Sequence, residues 1–284
     1  MLRGLAPSVA LLAWLIGQTP ARAGESVVTI ASVRGETIPA TLIQPDGPGP
    51  FPAVVIMHDC SGLGPRSSGA PRRWVAELVP QGYVVLLPDS FGPRDLPNGV
   101  CTETPERQQL ATAYIRSGDA HGALAFLKTL SFVDPRRIGI MGGSHGGSST
   151  LASMVEAGAG RHDGFAAGIA LYPSCSVTLG EWSTRRPPGR SLGPAMSHSG
   201  VYRPVAPTLI LAGDKDDWTP AEPCRWLAET ARAAGQPVSI KIYPGAHHAL
   251  QPGAGALRRG PHQRQLADRQ GRDDGRRSRG VGGC

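Results

Sequence analysis

What the chain lacks narrows the field first. No segment recurs along its 284 residues, which excludes repeat arrays and propellers. No CxxC pair and no cluster of cysteine with histidine is present, so no metal site is expected. No glycine-rich phosphate loop follows a strand in the required form, which argues against nucleotide binding, and no cofactor is implied. The apolar stretch at residues 9–17 is too short to span a bilayer. A basic body is missing as well. The formal net charge is +7, but residues 250–284 hold eight arginines against three aspartates, a net of +5, which leaves +2 for everything before them. Nucleic-acid binding needs a basic patch on a folded surface, and this composition offers none.

What is present begins with a leader. Arg3 supplies a positive start, residues 9–17 an apolar stretch, and Ala21-Arg22-Ala23 a small-x-small cleavage site. Residues 1–23 therefore read as a secretory signal peptide with a periplasmic or secreted product and no stable membrane insertion after cleavage; an uncleaved anchor is the alternative. Export makes disulfides available to Cys60, Cys101, Cys175, Cys224 and the last residue, Cys284. The four in the body allow three pairings, and spacing does not choose among them; free buried thiols are the other reading.

Residues 24–250 suffice for one α/β domain with a large core. Strands are expected at 27–33, 38–44, 53–57, 83–88, 137–141, 166–171, 208–212 and 238–243, several of them continuous apolar runs suited to burial on both faces. Helices are expected at 72–81, 105–130, 145–157 and 220–234. This alternation predicts a mostly parallel eight-stranded sheet with helices on both faces, the first two strands forming an antiparallel hairpin at one edge.

Chemistry collects at the carboxyl ends of those strands. The apolar run Ile138-Gly139-Ile140-Met141 enters Gly142-Gly143-Ser144-His145-Gly146, a G-x-S-x-G pentapeptide with the form of a nucleophile elbow. A glycine-rich turn is the bland reading of five such residues. It weakens because Asp214, Asp216 and Asp217 follow a later strand and His247 and His248 the last one, the chain order of an α/β-hydrolase triad. A serine hydroxyl needs an imidazole to take its proton, and the imidazole needs a carboxylate to fix its tautomer. The oxyanion formed by attack would meet the backbone N–H of His145 and a second N–H from Asp59 or Cys60. The His145 side chain is expected to stay exposed or to cap the helix start.

Beyond the elbow, the chain resembles the dienelactone hydrolase family of α/β-hydrolases from about residue 28 to 250. The resemblance is carried by His58-Asp59-Cys60-Ser61-Gly62-Leu63, Pro88-Asp89-Ser90-Phe91-Gly92-Pro93-Arg94, Val133-Asp134 with Arg137-Ile138-Gly139, the elbow, Gly213-Asp214-Lys215-Asp216-Asp217-Trp218-Thr219-Pro220, and Tyr243-Pro244-Gly245-Ala246-His247-His248. It implies Ser144, Asp216 and His248 as the triad, with His247 the fallback and Asp214 and Asp217 as turn carboxylates. Members named for dienelactone hydrolysis carry cysteine at the nucleophile, so serine points to an ordinary small ester as substrate. The family often carries an acidic residue in the loop after the third strand, where Asp59 stands and could touch substrate, and Arg94 and Trp218 flank these loops as candidate pocket residues. Asp59 could instead tie down its loop, Arg94 could be salt-bridged, and Trp218 could pack in the core. In exported relatives of this kind, Cys60 would pair with Cys101 and Cys175 with Cys224. A monomer or weak dimer is expected.

After His248 the resemblance ends. Residues 251–284 show no apolar stripe at helical spacing past Leu266, too little to order the segment, where the family places a last helix over one sheet face. The break is read as a translated frameshift, with an adapted basic tail as the other explanation, and it would leave that face bare near the histidine. Two classes of function follow: a serine hydrolase of small carboxylic esters or lactones working through an acyl-enzyme, or a non-catalytic protein, either a catalytically impaired hydrolase-like body or a binder of small acyl ligands.

Overall fold

The structure, a computed structural model, describes residues 24–155, 164–185 and 197–250. The expected leader and tail lie outside them. In chain order the elements are β1 (Gly24–Ala31), β2 (Thr37–Gln44), β3 (Phe51–Met57), α1 (Ala70–Leu78), β4 (Val84–Pro88), α2 (Pro105–Gln108), α3 (Ala113–Lys128), β5 (Val133–Gly143), α4 (His145–Val155), β6 (Gly168–Leu171), β7 (Ser183–Arg185), β8 (Ser197–Ser199), β9 (Thr208–Gly213), α5 (Ala221–Ala233) and β10 (Val238–Tyr243).

Eight strands form one sheet in the order β1-β2-β4-β3-β5-β6-β9-β10. β2 runs antiparallel to β1 and to β4, and every other pairing in the sheet is parallel. This is an α/β-hydrolase fold. All five residues of β4 are buried, because helices cover it from both sides. Helices α3, α4 and α5 build the larger core on one face with Val55, Leu86, Ile140 and Ile210. α5 contributes Cys224, Leu227, Ala228 and Ala231, the i, i+3, i+4, i+7 stripe of an amphipathic helix. On the other face Val75 and Leu78 of α1 pack over Ile56, Val85 and Met141. Among the described helices α1 alone joins that cluster, and Ile169 on β6 remains 37% exposed.

Two expectations need correction. The helix expected over 105–130 is broken, since residues 109–111 tighten into a 3-10 turn and Thr112 turns extended. Thr112 then caps α3, accepting a hydrogen bond from the Ile115 N–H at 3.2 Å, so the break supplies the second helix with its own start. The short antiparallel ladder of β7 with β8 was not anticipated, and its serines, threonine, histidine and arginine carry no apolar alternation that would announce it. No helix among the described residues is long and apolar enough to cross a membrane.

Candidate active site

β5 delivers Ser144 and α4 begins at the next residue. Ser144 has φ 55°, the left-handed region a side chain rarely adopts, and the strain turns its hydroxyl away from both elements. The turn closes only with glycine on either side. A Cβ on Gly142 would stand 2.5 Å from the Gly146 backbone, and one on Gly146 would stand 2.0 Å from the Met57 carbonyl oxygen. The elbow is therefore wedged against the end of β3, where the His58–Gly62 loop begins.

The later strands bring the partners. Asp216 follows β9, and His248 lies in a 3-10 turn beyond β10. Ser144 Oγ is 3.0 Å from His248 Nε2, and His248 Nδ1 is 2.9 Å and 3.1 Å from the two oxygens of Asp216. With the carboxylate accepting from Nδ1–H, Nε2 is left to accept the serine proton. Asp216 is fixed in turn by the N–H groups of Trp218 and Thr219, each at 2.9 Å, and by the Thr219 hydroxyl at 2.8 Å. Burial pulls the Asp216 pKa up, but the hydrogen bonds from His248 and Thr219 outweigh it and hold the carboxyl below its ordinary value. His247 makes neither of these contacts. Asp214 accepts instead from the Gly245 N–H at 2.6 Å, tying two loops together, and Asp217 is exposed.

The imidazole is clasped by aromatic rings. Trp218 stacks on it with centroids 5.2 Å apart, and Tyr172 meets it edge-on at 5.1 Å. Trp218 is 39% exposed, so it walls the site and is not a core residue. Tyr172, at the end of β6, was not anticipated; desolvation first, and the Asp59 charge second, push its phenol up to about 12 and keep it neutral. Thr219 also went unassigned, although its hydroxyl stands 2.8 Å from the Asp216 carboxylate and 3.0 Å from the Tyr172 carbonyl, with a single proton between the two acceptors.

The second side of the site is the loop after β3. Asp59 accepts from the Ser61 N–H at 2.8 Å, from the Ser61 hydroxyl at 2.5 Å and from the Ser68 hydroxyl. Its carboxylate is thus engaged in holding its own loop, the alternative to touching substrate. Cys60 is joined to Cys101, and Cys175 to Cys224, each pair with Cα atoms 5.0 Å apart. The first disulfide anchors the loop that carries the candidate oxyanion donors; the Val100 N–H adds a bond to the Cys60 carbonyl at 2.7 Å.

Arg94 takes the salt-bridged of its two readings and not the place beside substrate, and His145 departs from the exposed or helix-capping side chain expected of it. Arg94 grips Asp119 with two bonds of 2.8 Å and 2.9 Å and reaches Glu36 at 3.1 Å, its side chain only 6% exposed. A guanidinium committed in this way is an internal ion pair. His145 turns inward, its Nδ1 2.6 Å from Arg116 Nη1. Desolvation, then the Arg116 charge, holds this imidazole at about 3 and neutral. Arg116 is completely buried on α3 and was not recognised in the sequence. The signal existed: Arg116 lies on the same stripe as Ala120, Ala123, Leu124 and Leu127, the apolar ones among the buried positions of that helix.

Comparison with known proteins follows the same lines. The family model described as dienelactone hydrolase family matches residues 38–256. A protein of Methylorubrum extorquens named "Putative carboxymethylenebutenolidase" is 27% identical over 219 residues, covering 75% of this chain and 68% of that protein. One of the same name from Escherichia coli K12 is 26% identical over 266 residues, 87% of this chain and 85% of its own. Among solved structures, a "Putative Dienelactone Hydrolase" from Klebsiella pneumoniae superposes with a TM-score of 0.60 at 22% identity, over 88% of this chain and 96% of that one. Thermogutta terrifontis esterase 2 phosphonylated by sarin gives 0.57 at 18% identity, over 90% and 95%.

Proposed function

Because the chain belongs to the dienelactone hydrolase family, we propose that it is a serine hydrolase which cleaves small carboxylic esters or lactones through an acyl-enzyme. The observation that carries this reading is the continuous path from Ser144 Oγ through the His248 imidazole to the Asp216 carboxylate, each step a hydrogen bond of 2.9–3.1 Å. Ser144 Oγ attacks the acyl carbon while its proton passes to His248 Nε2, and Asp216 stabilises the imidazolium. The oxyanion is met by the His145 N–H and by the Asp59 or Cys60 N–H. When the tetrahedral adduct collapses, the C–O bond to the leaving alcohol breaks and the alcohol takes the proton from Nε2; in a lactone that alcohol stays tethered to the acyl group. Water then repeats the attack with His248 as base, releasing the acid and restoring Ser144.

The leader-like residues 1–23 support an exported enzyme, and two disulfides suit an oxidising compartment. The test uses p-nitrophenyl esters of graded acyl length and a fluorophosphonate probe. The wild-type chain is expected to turn over short esters and to label at Ser144. Ser144→Ala is expected to lose labelling and about 10⁶-fold in kcat, the scale of a removed triad serine. A folded wild-type protein that neither labels nor hydrolyses would overturn the serine-hydrolase reading and leave the non-catalytic one.

A further inference from the structure

The mechanism leaves unused a charged side chain that, with Asp119, has no exposure at all among the described residues. Arg116 is 0% exposed, yet among the described residues its guanidinium pairs directly with no carboxylate: Asp119, three residues along α3, is bound two-pronged by Arg94. Nη1 donates to His145 Nδ1 at 2.6 Å and Nη2 to the His58 carbonyl at 2.6 Å. Nε finds no hydrogen-bond partner among the described residues. The Phe91 ring lies beneath it, 4.9 Å from the guanidinium carbon. Burial draws the Arg116 pKa down to about 9, against the pull of Asp119, and the group is still charged at neutral pH. A buried cation so incompletely paired costs stability, and such groups are kept where they serve a site.

What Arg116 touches belongs to both halves of the candidate oxyanion hole. His145 carries one N–H. The His58 carbonyl belongs to the peptide whose N–H is that of Asp59. The next peptide is held in the same manner: the Ser90 N–H donates to His58 Nε2 at 3.2 Å, so the proton sits on Nδ1, and Nδ1 donates to the Asp59 carbonyl at 2.9 Å. That carbonyl shares a peptide with the Cys60 N–H. Arg116 Nη2 also stands 3.2 Å from His58 Nδ1, two donors turned to neighbouring carbonyls. In a trans peptide the C=O and N–H point opposite ways, so donors on the two carbonyls aim and polarise the Asp59 and Cys60 N–H groups away from Arg116.

We propose that Arg116 and His58 are positioning residues that brace the oxyanion hole from behind, Arg116 holding both the elbow through His145 and the loop through the His58 carbonyl, and His58 holding the Asp59–Cys60 peptide. The inference rests on the serine-esterase reading. It asks for a loss in the chemical step without a loss in binding, since mispositioning by about 1 Å costs on the order of 10²-fold.

The test compares wild type, Arg116→Met and Arg116→Lys with p-nitrophenyl acetate and the fluorophosphonate probe. Arg116→Met is expected to lose about 10²-fold in kcat and in labelling rate with KM within about threefold, because phosphonylation uses the same hole. Arg116→Lys should fall between, as one ammonium cannot span both partners. The acid limb of the pH profile should stay where it is, because His248 and Asp216 are untouched. His58→Asn, which keeps a donor near Nδ1, should retain more kcat than His58→Gln, which keeps an acceptor near Nε2. Unchanged kcat in Arg116→Met, a raised KM with kcat kept, or the reverse order of the His58 pair would overturn the brace. Should Arg116→Met not fold, nitrogen NMR of wild-type His58 decides: a persistent Nδ1–H tautomer from pH 5 to 8 supports the proposal, and an Nε2–H tautomer overturns it. A wild-type chain that does not label at Ser144 overturns the esterase reading and the brace with it; a wild type that labels while Arg116→Met labels equally fast overturns the brace alone.

Discussion

Adding one methyl group to Gly146 should disable the site while leaving most of the fold in place. A Cβ there would lie 2.0 Å from the Met57 carbonyl oxygen and 2.6 Å from that of His58, both backbone atoms with no side-chain freedom to yield. Restoring an ordinary contact of 3.4 Å requires a displacement of about 1.4 Å between α4 and the end of β3. These are the segments that carry the His145 N–H and the Asp59 and Cys60 N–H groups, so the displacement opens the oxyanion hole. Losing one such donor costs about 10²–10³ in kcat, and Gly146→Ala is expected to fall in that range. The strain should also lower stability by about 1–3 kcal/mol, as overpacking does. Gly139→Ala is the matched control. It adds the same methyl on β5, three residues before the pentapeptide begins at Gly142, but its nearest new neighbour is the Ala167 carbonyl oxygen at 3.5 Å, an ordinary contact. The assay is p-nitrophenyl acetate turnover and probe labelling at matched folded fraction, with the melting midpoint read in parallel. Folded Gly146→Ala within threefold of wild type, or Gly139→Ala equally damaged, would refute the wedge.

The remaining predictions concern the triad and acid stability. His248→Ala should match Ser144→Ala in lost turnover, and His247→Ala should keep most activity, because only His248 reaches both Ser144 and Asp216; equal losses would refute this. Asp216→Asn should cost about 10⁴ in kcat through the wrong imidazole tautomer, and Asp214→Asn and Asp217→Asn far less; steady-state kinetics on the three variants ranks them. Stability should fall with acid. His58 is held well below its ordinary 6.5 by burial and then by Arg116, and His145 at about 3 by the same causes in the same order. Both are neutral in the fold and protonated in the unfolded chain below 6.5, so the unfolded state binds the extra protons. Their contribution is fully present above 6.5 and is lost as pH falls toward the folded values, by about 1.4 kcal/mol per pH unit for each imidazole. Urea unfolding at pH 7, 6 and 5 measures the slope, and a flat profile would refute the buried neutral assignment.

The sheet was legible because its strands advertise themselves. Residues 84–88 are buried on both faces and read as an unbroken apolar run, whereas β7 and β8, short and polar, gave no period to detect. The break before α3 escaped notice for a different reason. Residues 105–130 carry no proline past Pro105 to announce a break, and the cap formed by Thr112 is a local competition between a side chain and the backbone that composition does not resolve.

The two halves of the site differ in the same way. Ser144, Asp216 and His248 each follow a strand of strong apolar pattern and carry motif neighbours, so their convergence could be inferred from topology. The brace behind them is assembled from His58, Ser90, Arg116 and His145, which stand on four separate segments and meet only in the folded core. A polar residue on a helix reads by default as solvated, and no motif singles out Arg116. What separates it from a surface arginine is phase: it repeats with Ala120, Ala123 and Leu127 and not with the exposed positions of α3. A charge in phase with an apolar stripe has to be paid for by partners elsewhere in the chain. Where those partners are the carbonyls and rings behind the candidate nucleophile Ser144, the proposed brace gives the burial cost and the chemistry a common origin, and a charge out of place becomes a pointer to the site beside the motif.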